Sequence, residues 1–177
     1  MMRQRLLPCL CGCALALLSA GTRADELPLR KAGLWEMKIA KPGSQLPELT
    51  VQHCTDETTD KDMSNTVSPM AKQICSKQDI KKTATGYTID SVCSVAGISA
   101  TSHSEVVGDY NSAYTVTTQS HSEGGPASLR EVTTRIEAKW LGACKEGQRP
   151  GDIVMPGGFK LNVKDAEKLK GLLPKPN

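Results

Sequence analysis

The chain has 177 residues, with 22 Lys and Arg against 19 Asp and Glu, and its only aromatics are two Trp, three Tyr and one Phe. Arg3, Arg5 and Arg23 lie in the first 24 residues, so beyond them the balance is 19 against 19 and the basic footprint of a nucleic-acid binder is missing. So few flat rings also exclude an aromatic stacking platform for sugars or bases.

The N-terminus reads M-M-R-Q-R, then the apolar run Leu6 to Leu18, then S-A-G-T-R-A. A basic end, an apolar middle and a small-residue exit predict a secretory signal over residues 1–24, cleaved after Ala24. The run is too short for a spanning helix and is broken by Pro8 and Gly12. Leu10-Cys11-Gly12-Cys13 offers the alternative of lipidation at Cys13, which would leave Ala14 to Leu18 exposed on the mature chain. The expected localisation is the periplasm, with no transmembrane segment in the mature chain.

In R-K-A-G-L-W-E-M-K-I-A, residues Gly33, Trp35, Met37 and Ile39 alternate with Glu36 and Lys38, the period-two pattern of a half-buried strand that stops at Lys41-Pro42-Gly43. Leu49, Val51 and His53 predict a second strand, followed by a polar stretch, T-D-E-T-T-D-K-D. Ser68-Pro69 reads as an N-cap and a first-turn proline opening a short helix through M-A-K-Q-I. Between Cys75 and Cys93 a hairpin turns at Ala84 to Gly86.

Strands Ile98 to Val107 and Ser112 to His121 flank G-D-Y-N, and E-G-G-P marks the next turn. Arg130 to Trp140 is the plainest strand: Val132, Thr134, Ile136, Ala138 and Trp140 on one face, charged and polar residues on the other. Trp35 and Trp140 are expected in one core. After Cys144 come a loop, a small hairpin in I-V-M-P-G-G-F-K-L, and a last helix capped by Asn162 and ending at Pro174.

The organisation expected is therefore a signal (1–24), a disulfide-linked antiparallel β domain (25–145) and a C-terminal extension (146–177), with a hairpin and helix packed on that domain. The fold class is all-β: one antiparallel meander forming a strongly curved sheet or incomplete barrel, with short peripheral helices.

Cys9, Cys11 and Cys13 leave with the signal, and Cys54, Cys75, Cys93 and Cys144 remain. An even count in an exported chain predicts two disulfides. The gaps of 21, 18 and 51 residues contain no C-x-x-C, which argues against zinc. A hairpin centred near Ala84 sets Cys75 opposite Cys93, and elimination pairs Cys54 with Cys144. In the chain-entropy model the bridges contribute about 3 kcal/mol and between about 4 and 5 kcal/mol.

Neither G-x-S-x-G nor H-E-x-x-H occurs, and in Ser102-His103-Ser104-Glu105 the strand neighbours face opposite ways, so no triad forms. If G-D-Y-N sets the register, His103 faces Val116, His121 faces Ile98, and the two imidazoles lie on opposite sides of the sheet, unable to share a metal. His53, beside a disulfide cysteine, reads as structural or solvent-exposed. Met37, Met63, Met70 and Met155 are scattered, and core filling explains them better than copper. No cofactor and no metal is expected, and no enzymatic activity.

Serine and threonine on both faces of Ser99 to Val107 and Ser112 to Ser122 resist the amphipathic pattern. Either the hairpin is an edge, wet on both sides, or it lines a cleft.

Gly33-Leu34-Trp35 at the start of the mature chain, the cysteine contexts V-Q-H-C-T, Q-I-C-S, S-V-C-S and L-G-A-C, and the closing K-W-L-G-A-C…R-P-G-D together resemble the exported bacterial family catalogued as domain of unknown function 3617, over roughly Arg30 to Asn162. The resemblance implies an exported all-β domain with no established activity and supplies no catalytic residues. Relatives often carry a methionine- and proline-rich loop after the first strand, whereas A-K-P-G-S-Q-L-P-E here has no methionine. Gly33-x-Trp35 followed by a meander is also similar to the lipocalin opening, where the tryptophan seals one end of a ligand-holding barrel. The function expected is non-enzymatic binding of a small or envelope-derived ligand, with Trp35, His103, Tyr114 and Trp140 as lining residues. The alternative is an envelope structural or interaction module that pairs through an exposed edge strand.

Overall fold

The computed structural model describes residues 27–124, 126–127 and 130–165, with backbone alone for residues 64–72. The expected signal, Cys13 and the last helix beyond its first residues lie outside that range. Among the described residues nine strands form one sheet: β1 (Gly33–Ala40), β2 (Leu49–Thr55), β3 (Cys75–Lys82), β4 (Gly86–Val95), β5 (Ile98–Asp109), β6 (Ala113–Glu123), β7 (Glu131–Gly142), β8 (Asp152–Val154) and β9 (Lys160–Asn162). Their order is β3-β4-β5-β6-β7-β1-β2-β8-β9, and every pairing is antiparallel. The sheet is curved and does not close, leaving β3 and β9 as its edges.

The helix α1 (Glu57–Ile74) leaves β2 and enters β3, strands six places apart in the sheet. Six strand spacings are about 29 Å, and 18 helical residues rise about 27 Å. One helix therefore suffices to reach from β2 back to the far edge, and it does so across one face, which we call inner. Asp60 on α1 pairs with Arg30, and Arg30 reaches His53 and the Met37 sulfur on that face.

The helix is longer than Ser68-Pro69 predicts, and the reason is local. Asp56 caps it: Thr59 N donates to Asp56 Oδ1 at 2.7 Å, and Asp56 N donates to Thr59 Oγ1 at 2.9 Å. This reciprocal box satisfies two otherwise orphaned donors within the stretch that reads simply as polar.

Both disulfides have the predicted pairing, Cys75–Cys93 across the β3–β4 hairpin and Cys54–Cys144 between β2 and the end of β7. The β5–β6 register differs from the predicted one. The loop holds three residues, Tyr110-Asn111-Ser112, and Asp109 pairs with Ala113. The Asp109 carboxylate organises it by accepting from Asn111 N and from Ser112 Oγ, a local side-chain turn. His103 consequently pairs with Gln119, and His121 with Thr101. Residues 101 and 103 share a face, so the two imidazoles are on the same side of the sheet. The hairpin is also no edge: β5 and β6 are third and fourth in the order.

Candidate functional site

One end of the inner face is plugged by the segment before β1. Lys31 N donates to the Tyr110 carbonyl at 2.8 Å, Trp35 Nε1 donates to the Lys31 carbonyl at 2.8 Å, and Trp140 Nε1 donates to the Ala32 carbonyl at 3.1 Å. Lys31 Nζ sits 3.6 Å over the Trp140 ring, a cation–π contact. Both tryptophans thus hold the entering chain through its carbonyls, and Trp140 also through its ring face. Gly33 is required between them: at φ +131° a Cβ would lie 2.3 Å from the Gly142 carbonyl oxygen and 2.6 Å from Trp140 Nε1. Leu34 points to the other side of the strand, buried opposite Cys54.

Arg30 completes the plug. Its backbone N and its Nε each donate to the Asp60 carboxylate at 2.7 Å, and Nη2 approaches His53 Nδ1 at 3.1 Å. With Arg30 as donor, the His53 proton belongs on Nε2, which is buried with no hydrogen-bond partner among the described residues. Burial first, and the neighbouring Arg30 charge second, lower the His53 pKa to about 4. An aromatic row runs on from Trp35. Its ring centroid is 5.6 Å from that of Tyr114, Tyr114 stacks on Tyr110 at 4.6 Å, and Tyr110 meets Tyr87 edge-on at 6.4 Å. Burial raises the phenol pKa values of Tyr110 and Tyr114.

Beyond this plug the inner face is apolar and only half covered. Val51, Met37, Ala138 and Tyr114 are in register as one row, and Leu49, Ile39, Ile136, Val116 and Val106 as the next. Among the described residues only Leu34, Trp35, Val51, Cys54, Val106 and Ala138 are buried apolar side chains. Met37, Ile39, Leu49, Ile89, Val116 and Ile136 stay partly open to solvent.

Of the predicted lining residues, Trp35, Tyr114 and Trp140 come together at the plug. His103 does not join them: it is exposed on the outer face, because residues alternate and Val106 is the inner one. Its Nδ1 meets Asp90 Oδ1 at 2.7 Å, with Glu105 at 3.8 Å from Nε2. The Asp90 bond raises its pKa. His121 is likewise set between Glu131 and Glu123. Both line a shallow outer hollow of about 580 Å³. Each imidazole is thus engaged by its own carboxylates, and among the described residues no three His, Cys, Asp or Glu are grouped to hold a metal.

The Arg30–Asp60–His53 trio escaped the sequence reading. Arg30 precedes the first strand, and Asp60 lies in a segment that reads only as polar, so no periodicity links them. The D-x-x-T box was the available signal.

A family model described as Protein of unknown function (DUF3617) matches residues 30–144. The chain belongs to that family, and the match runs from the arginine of the plug to the last disulfide cysteine. Comparison with curated proteins found no match, and neither did comparison with solved structures.

Proposed function

We propose that the protein is an exported, non-enzymatic module that binds a small or envelope-derived ligand on the inner face of its sheet. The observation that carries this reading is the half-covered apolar face. Its rows are in register and unbroken across β2, β1, β7 and β6, yet most of their side chains remain partly exposed. Fully burying an exposed aliphatic side chain is worth about 1.5–3 kcal/mol; these side chains, already partly covered, forfeit a fraction of that, which a ligand in place would recover. Two disulfides stabilise the fold independently of that cover and fit an oxidising compartment.

The buried titratable groups support binding over catalysis. Arg30, Asp60 and His53 turn toward one another and anchor the plug, whereas an enzyme's groups converge on a cleft that a substrate can enter. The edges count against pairing with another protein's strand. β3 carries Lys77, Lys81 and Lys82 and a bulge between Cys75 and Lys77, and β9 has three residues, devices that blunt an edge.

The test is native mass spectrometry of the protein purified from the periplasm without detergent. A reproducible adduct on the wild type, absent from Ile136→Glu of equal thermal stability, is expected. A bare mass in every preparation contradicts the reading.

A further inference from the structure

Past the two apolar rows, the inner face changes chemistry. Thr134, Thr118 and Ser104 are in register on β7, β6 and β5, and in the row beyond them Ser120, Ser102 and Ser91 are in register on β6, β5 and β4. These six hydroxyls are half-buried and stand on central strands of the sheet, on the face where a plain core would place aliphatic groups. The described residues of the two rows are otherwise Ile80, Ile89, Val132 and Gln78, so no charge accompanies them. At the same height the outer face carries Asp90, His103, His121 and Glu131. At this height the charged side chains are thus on the outer face, while the inner face carries hydroxyls without charge among the described residues.

The hydroxyls are only partly spent on each other. Ser104 Oγ and Thr118 Oγ1 are 2.9 Å apart, and Ser91 Oγ and Ser102 Oγ are 2.7 Å apart. Two hydroxyls bring two donors and four lone pairs, and a single mutual bond uses one of each. What remains is a belt that can both donate and accept toward whatever covers the face. A half-buried polar group left without a partner is costly.

We infer that the ligand is an amphiphile with an uncharged, hydroxyl-bearing head of the sugar or glycerol kind. This rests on the binding reading above and specifies its ligand. The row Leu49, Ile39, Ile136, Val116 and Val106 crosses five strands, about 19 Å, comparable with an extended dodecyl chain. That row takes the chain. The hydroxyl belt, one row further along the strands, takes the head through hydrogen bonds, for which no aromatic platform is needed. A carboxylate or phosphate head would find no cation in either hydroxyl row, whereas a polyol finds partners matched in donor and acceptor capacity.

The test is calorimetric titration of the exported protein with dodecyl maltoside, monododecanoylglycerol, sodium dodecanoate and dodecylphosphocholine, each below its critical micelle concentration. The variant is Ser104→Ala/Thr118→Val, which removes both partners of one bond together and so leaves no orphaned hydroxyl. Its fold is checked by thermal melting. The expected result is that at least one of the two neutral hydroxyl heads binds about tenfold more tightly than either charged head. The double variant should lose that advantage, about tenfold, while dodecanoate binding is unchanged. Which of the two neutral probes binds better distinguishes a sugar source from a glycerol source, and either supports the inference. Equal binding of all four, unchanged in the variant, overturns the head-group inference and leaves the binding module standing. Binding of none overturns both.

Discussion

Gly33 and His53 carry the most testable consequences of single residues. Gly33→Ala would press a Cβ against the Gly142 carbonyl at a backbone angle of φ +131°. The variant should lose at least about 2 kcal/mol, read as a shift of the urea midpoint at constant slope. His53 remains neutral in the fold down to about pH 4, whereas an ordinary histidine titrates at 6.5. Between those values the unfolded chain binds the extra proton, so stability is lost as pH falls from about 6.5 toward 4, by up to about 3 kcal/mol. The depressed carboxylates of Asp56 and Asp152 act lower, below the ordinary aspartate value of 3.8. Urea titrations across this window should therefore slope for the wild type and lie nearly flat for His53→Gln. An equal slope in both would show that His53 does not govern acid sensitivity. Replacing Asp60 by Ala leaves the Arg30 cation, nearly buried, without its carboxylate. The expected cost is about 3–5 kcal/mol, and Arg30→Met combined with Asp60→Leu should recover most of it in the same denaturation assay.

Elements differ in how plainly the sequence announces them. β1 and β7 are legible because a sheet with one wet face writes its period into the chain; Trp35 pairs directly with Trp140 on one face, although only Trp35 is buried in the core. The Cys75–Cys93 hairpin is legible because its turn lies midway between the cysteines. The β5–β6 register was not, since the Asp109 side chain builds a three-residue loop where backbone turn propensities suggest two. That slip carried both histidines to incorrect partners. The start of α1 was hidden for a related reason: Asp56 and Thr59 look like loop residues until their reciprocal bonds are seen. Asp56→Ala should accordingly cost about 1 kcal/mol, and measurably reduce helical signal in α1 by circular dichroism. Removing Cys54 or Cys144 opens a crosslink spanning 90 residues. In an oxidising compartment it should sharply reduce folded yield, where unchanged thermal stability would contradict the structural role given to that bridge.

At the scale of the molecule, the plug, the helix α1 and the open face form one design. Arg30 ties the entering chain to α1, α1 ties β2 to β3, and the disulfides fix the same two regions covalently. All-β class, single-sheet topology and bridge pairing were readable from periodicity and cysteine spacing. The location of the open face was not, because partial exposure arises from how the sheet curves and how the helix crosses it, and neither is written in a local pattern. The serines of β5 and β6 were the one visible trace of it, as residues that suited neither a core nor a solvent face.

The central claim is that the inner face receives the ligand. It is tested most directly by methyl-resolved NMR of the Ile-, Leu- and Val-labelled protein titrated with dodecyl maltoside. The account predicts shifts concentrated at Ile39, Val116, Ile136 and Val106, with Val107 and Leu141, exposed on the opposite side, unmoved. Shifts confined to Val107 and Leu141, or none anywhere, would contradict it.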